Sequence, residues 1–192
     1  MSCRALLVSV LICLSFSTKA QRDSTASSST GFVSLYYGTL IGKRGLGPSV
    51  SAAMTGGVRH KRVQLGVGFG YDTYSQWQLL PVFATVGYDV LKGRNYAFFI
   101  QLQTGYATAW TSRTEDSGVT YRNTGGYFWH PLFGCRVEQR KLRVYFTAGY
   151  KLQNLSYEQI PQWIDWGWGG GGYKSNVNMN LQRLSVMLGL GL

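Results

Sequence analysis

The sequence predicts an all-β protein, a transmembrane up-and-down antiparallel β-barrel of about eight strands. Three observations lead there. Residues 63–71, Val-Gln-Leu-Gly-Val-Gly-Phe-Gly-Tyr, place a large apolar side chain at every odd position and Gln or Gly at every even one, the period-2 signature of a strand. Comparable segments recur along the chain at about 10 residues each, the length a tilted strand needs to cross a bilayer. Charged residues are only 14% of the chain, whereas a soluble domain carries about a quarter. A soluble barrel turns its apolar face inward and covers its outside with Lys, Glu and Asp; here the second face is Gly, Gln, Thr and Ser. Lipid tolerates a sheet only when it is closed, because a free edge would leave backbone N–H and C=O groups without partners.

The chain begins with a positive stretch ending at Arg4, an apolar run from Ala5 to Phe16 and a small-residue end, Thr18-Lys19-Ala20. Residues 1–20 read as a secretory signal peptide cleaved after Ala20, so Sec-type export is expected. The apolar run falls short of the roughly 17–25 residues of a membrane helix. Ile12 is too large and branched for the position before a lipidated Cys13. Without residues 1–20 the one remaining cysteine is Cys135, which excludes an intramolecular disulfide; between Phe133 and Val137 it reads as an inert apolar side chain on a strand. Loss of Arg4 and Lys19 lowers the net charge from +11 to +9. Residues 21–31, a Ser/Thr tract without periodicity, form a flexible periplasmic lead-in, and residues 32–192 form the barrel.

Strand 1 is expected over Phe32–Gly42, with Val33, Leu35, Tyr37 and Ile41 on one face. Strand 2 follows over Ser49–Val58, with Val50, Ala52, Met54 and Val58 sharing a face. Strand 3 is the segment at 63–71. Strand 4, Leu79–Val90, turns Leu80, Val82, Ala84, Val86, Tyr88 and Val90 outward. Strand 5 presents Tyr96, Phe98, Ile100, Leu102 and Tyr106 against inward Gln101, Gln103 and Gly105. Strand 6 presents Tyr127, Trp129, Phe133 and Val137; strand 7 presents Leu142, Val144, Phe146, Ala148, Tyr150 and Leu152. Strand 8 closes with Leu184, Val186, Leu188, Leu190 and Leu192.

The connections orient the barrel. Those between strands 2 and 3, 4 and 5, and 6 and 7 are tight and basic: Arg59-His60-Lys61-Arg62, Lys92-Gly93-Arg94 and Gln139-Arg140-Lys141. Those between strands 5 and 6 and between 7 and 8 are long, about Thr108–Gly125 and Asn154–Asn180. Outer-membrane barrels carry short turns in the periplasm and long loops outside. Tyr37, Tyr71, Tyr96, Tyr127, Trp129 and Tyr150 lie toward strand ends, where interfacial aromatic girdles sit.

On this alternation, this turn asymmetry and the ending Leu184-Ser-Val-Met-Leu-Gly-Leu-Gly-Leu192, the chain resembles the small eight-stranded outer-membrane barrels of the OmpA and OmpX type. The ending resembles the signal read by the barrel-assembly machinery, departing from the family in its last residue, Leu192 in place of an aromatic. The resemblance implies a cell outer-membrane location, barrel-assembly machinery as a biogenesis partner, and a structural, adhesive or protective role.

Other motifs weigh less. Gly66-x-Gly68-x-Gly70 lies on a strand and opens no helix, so a phosphate cradle is not expected. His60 and His130 have no Cys/His spacing about them, so no metal is expected, and no cofactor. The enzymatic alternative is a lipid A-modifying barrel; here His130-Pro131-Leu132 lacks the His-x-Ser of such enzymes and His130 has inward parity. A soluble lipocalin-like binder is the other alternative, opposed by the low charge. Export and the placement of the cations exclude nucleic acid as a partner. Anionic groups fit instead: lipopolysaccharide phosphates at one rim and phospholipid headgroups at the other.

Two sets of residues are candidate sites. Inward parity assigns Asp89, Arg136, Glu138 and Arg143 to one lumen charge network, with Gln139-Arg140 as the two-residue turn and Arg136 opposite Arg143; Asp72, Lys151 and Arg183 form a second. The other candidate is the 154–180 loop, in which Trp163, Trp166, Trp168 and Tyr173 flank four glycines, an aromatic surface suited to an extracellular glycan or protein ligand. The lumen itself is expected to be blocked by Tyr36, Phe83, Phe99, Gln101, Gln103, Phe128, Arg136 and Tyr145.

Overall fold

The computed structural model describes residues 29–42, 47–74, 77–111, 119–139, 142–161 and 175–192. Eight strands form: β1 (Ser29–Gly42), β2 (Ser49–His60), β3 (Val63–Thr73), β4 (Trp77–Lys92), β5 (Tyr96–Thr111), β6 (Val119–Gln139), β7 (Leu142–Pro161) and β8 (Ser175–Gly191). Each pairs antiparallel with the next and β8 pairs back onto β1, so the sheet is a closed barrel with no free edge along its circumference. The signal peptide expected over residues 1–20 lies outside the described residues. β1 begins at Ser29, so the last residues of the expected lead-in are already paired, Ser29 with His60 and Gly31 with Val58.

The alternation reads out as two faces. Outward positions carry Leu35, Val67, Phe69, Val82, Ile100, Phe133, Phe146 and Leu188, all exposed, Val67 to 69%. Inward positions carry Tyr36, Phe83, Phe99, Phe128 and Tyr145 beside Gln101, Gln103 and Arg136, all buried. An apolar exterior around a polar and aromatic interior is the inverse of a soluble barrel and of a lipocalin. The aromatic residues expected at the girdles point outward: Tyr37, Tyr96, Tyr127, Trp129 and Tyr150 are exposed, and Tyr106 meets Tyr127 edge-on at 5.2 Å.

The strands are longer than the sequence pattern suggests. β6, β7 and β8 run 21, 20 and 17 residues, about twice what a bilayer requires. The expected loops at 108–125 and 154–180 are therefore largely paired strand: β5 continues to Thr111, β6 starts at Val119, β7 continues to Pro161 and β8 starts at Ser175. The outward side chains show why. On β7 the series Leu142 to Leu152 gives way to Asn154, Ser156 and Glu158, and on β8 Leu192 to Leu184 gives way to Gln182, Asn180, Asn178 and Asn176. Pairing persists past the end of the apolar belt, while the hydrophobic alternation that identifies a strand does not.

The turns correct one expectation. Gln139 pairs with Leu142 and Glu138 with Arg143, so Arg136 faces Tyr145 and not Arg143. The offset is two residues, which keeps every side chain on its face. Between β2 and β3 the turn is Lys61-Arg62, with Lys61 at φ 52°. Two further irregularities matter. A register shift between Asp89 and Leu91 puts Val90 and Leu91 both outside and leaves Asp89 inside at 0% exposure. A second, between Asn123 and Gly125, needs glycine, because Gly125 has φ 91° and a Cβ there would stand 2.1 Å from the Ala107 carbonyl.

Candidate functional site in the barrel lumen

The lumen is cross-linked at its turn end by a charged and polar network built from five strands. Arg136 on β6 grips Asp89 on β4 with both terminal nitrogens, Nη1 to Oδ1 at 3.1 Å and Nη2 to Oδ2 at 2.9 Å; its Nε donates to Glu138 at 2.8 Å. This is the bidentate fork that gives guanidinium–carboxylate pairs their strength and directionality. Both partners are 0% exposed. Gln64 of β3 adds a third donor to Asp89 at 3.1 Å. Glu138, a third exposed, also meets Arg59 at 3.3 Å and Arg143 at 3.8 Å, and Arg143 donates to the Leu192 main-chain oxygen at 2.9 Å. The four residues assigned to this network by parity are brought together.

Arg59 and Gln64 are members that the sequence reading left out. The apolar alternation of strand 2 stops at Val58, within the basic run expected as a turn, but the strand runs on to His60 and Arg59 takes the next inward place. Counting parity on from Val58 is the signal that finds it.

Between this network and the loop end the lumen is filled. Tyr145 meets Tyr36 at 5.5 Å and Phe99 at 6.1 Å, and Phe83 meets Phe128 at 6.0 Å. Gln101 donates to Thr85 at 2.6 Å. His130, inward as its parity requires, lies 3.1 Å from Gln103 Oε1 through Nδ1 and 2.7 Å from Ser185 Oγ through Nε2. A Ser–His contact is a nucleophile geometry, but its third member is a neutral amide. His130 and Ser185 are also 2% and 0% exposed, deep inside the closed wall.

The second cluster forms in part. Lys151 and Asp72 make a buried ion pair, Ser51 donates to Asp72 at 2.6 Å, and Lys151 lies 4.7 Å over the Phe128 ring. Arg183 does not join Asp72. It sits opposite Lys151 in the ladder, donates to the Gly47 carbonyl at 3.2 Å and lies 5.3 Å over the Tyr74 ring. Trp163, Trp166, Trp168 and Tyr173 lie outside the described residues. Among the described residues no group of His, Cys, Asp and Glu could hold a metal ion.

No protein-family model matches this sequence, and no curated protein matches it. Among solved structures, the crystal structure of Neisserial surface protein A (NspA) shares 11% identity, with 86% of this chain and 98% of that chain covered at a TM-score of 0.57. The solid-state NMR structure of the outer membrane protein AlkL in lipid bilayers shares 8%, covering 91% and 95%, at a TM-score of 0.49. At such identity the likeness to NspA is one of fold. In fold, then, this chain is a closed eight-stranded antiparallel barrel that resembles the small barrels of outer membranes.

Proposed function

We propose that the protein is an integral outer-membrane barrel with a structural or surface-interaction role, neither catalytic nor conducting, reached by Sec-type export and insertion by the barrel-assembly machinery. The single observation that carries the reading is the lumen, occupied from the Arg136–Asp89 fork to the Lys151–Asp72 pair by interlocked side chains. An eight-stranded barrel encloses only enough space for its own side chains. The proposal's partners are outer-membrane lipid and lipopolysaccharide around the apolar belt, and a glycan or protein ligand for Trp163, Trp166, Trp168 and Tyr173. The buried setting of His130 and Ser185 weighs against the lipid A-modifying alternative, since an acyl chain or headgroup would have to enter a filled lumen to reach them.

The test is conductance. Purified protein in planar bilayers is expected to give no stable steps of porin size. Reproducible large open-channel steps would mean that the lumen contacts do not persist and that a transport role must replace the structural one.

A further inference from the structure

Among the described residues, the loop end of the lumen holds a buried cation with no carboxylate partner. Lys151 and Arg183 oppose each other across the β7–β8 ladder with both side chains buried, and Asp72 is taken by Lys151 and Ser51. At the turn end, by contrast, Arg59, Arg136 and Arg143 each reach a carboxylate. Arg183 is 2% exposed; among the described residues no carboxylate lies within ion-pair distance of it, and its Nε–H has no acceptor. The Tyr74 hydroxyl, on the ring over which Arg183 lies, has no partner either.

This arrangement is held from several sides. The backbone N–H of Tyr74 donates to the Trp77 carbonyl at 2.7 Å, fixing the start of the β3–β4 connection. Gly42 leaves the space that the guanidinium fills, since a Cβ there would stand 2.2 Å from Arg183 Nη1. A buried guanidinium is costly without a counter-charge, and one aromatic face compensates only part of that cost. Arg183 also donates to the Gly47 carbonyl, but its Nε–H and the Tyr74 hydroxyl remain two buried donors without acceptors beside an unpaired cation, and the chemistry that accepts from both and opposes the charge is that of an anion.

We propose that the loop end of the lumen binds a small inorganic anion, a halide or a compact oxyanion such as phosphate, held by Arg183 and the Tyr74 hydroxyl with Lys151 adjoining. The anion gives Arg183 the counter-charge contact that Asp89 and Glu138 give the arginines at the other end. The proposal does not depend on the structural role, because an anion fixed in the lumen is compatible with any use of the outer surface.

The test uses protein refolded in non-ionic detergent, with chloride or phosphate exchanged for gluconate at constant ionic strength and the thermal unfolding midpoint as readout. Binding to the folded state alone makes the midpoint climb with the logarithm of anion concentration above the dissociation constant. Wild type is expected to show this climb, R183Q to be flat, and Y74F to need several-fold more anion. K92Q, a change of an exposed turn cation, is expected to follow wild type. A wild-type midpoint identical in chloride, phosphate and gluconate overturns the site, as does an unchanged response in R183Q or a lost response in K92Q. Should R183Q fail to refold, superimposed Y74F and wild-type titrations overturn it. A midpoint that responds to added lipopolysaccharide but to neither free anion assigns the positive patch to the lipid headgroup and overturns the lumen site.

Discussion

Arg136 shows what a single residue carries in this barrel. Its guanidinium lies where neither water nor lipid can solvate it, so the two carboxylates at 2.8 and 2.9 Å are required by its charge. Removing one member of such a network strands the others, and Asp89→Asn is expected to lower refolding stability in urea by about 3–5 kcal/mol. Glu138→Gln should cost less, because Glu138 is a third exposed and solvent screens what remains. Equal, negligible effects for both would show that the fork does not hold the turn end together. These partners are legible in the sequence because parity alone places Asp89, Arg136, Glu138 and Arg143 on one face; the expected pairing of β6 with β7 is offset by two residues, and a shift of two preserves parity. Glycine was harder to read. Gly68 has the inward parity of a small lumen residue, and a Cβ there would meet the Phe83 ring at 2.6 Å and the Met54 carbonyl at 2.5 Å. Gly68→Ser is therefore expected to be destabilising, with partial rescue by Phe83→Leu; a urea midpoint that the pair restores no better than Gly68→Ser alone would place the strain elsewhere.

At the scale of the strand, the sequence shows where lipid is and falls silent where it ends. Within the belt, outward Leu, Val, Phe and Tyr against inward Gln, Gly and Thr identify all eight strands. Beyond it, outward Asn176, Asn178, Asn180 and Gln182 of β8 face no apolar medium, so nothing in their hydropathy separates a paired strand from a loop. The pairing of Glu158 with Asn176 and of Leu155 with Met179 is visible only in three dimensions. The boundary can be tested by one charge at two heights. Leu188→Arg, inside the belt, is expected to cost about 2–4 kcal/mol of refolding stability in lipid vesicles, whereas Asn178→Arg should fall within about 1 kcal/mol of wild type. A similar cost at both positions would extend the belt over the whole of β8.

For the molecule as a whole, the account joins an apolar outer wall to an ionic interior, and Cys135, the one cysteine in residues 21–192, is a reporter at the outward face. Cys135 pairs with Phe98 and Phe146 in the ladders, both on the outward face, and its side chain is partly exposed. A fluorophore attached to this thiol in the unfolded chain, followed by refolding into vesicles, reports directly on which face meets lipid. The account predicts strong quenching by lipids brominated on their acyl chains and little quenching by aqueous iodide. Quenching by iodide with no response to brominated lipid would mean that the apolar face does not contact the bilayer, and would contradict a transmembrane barrel.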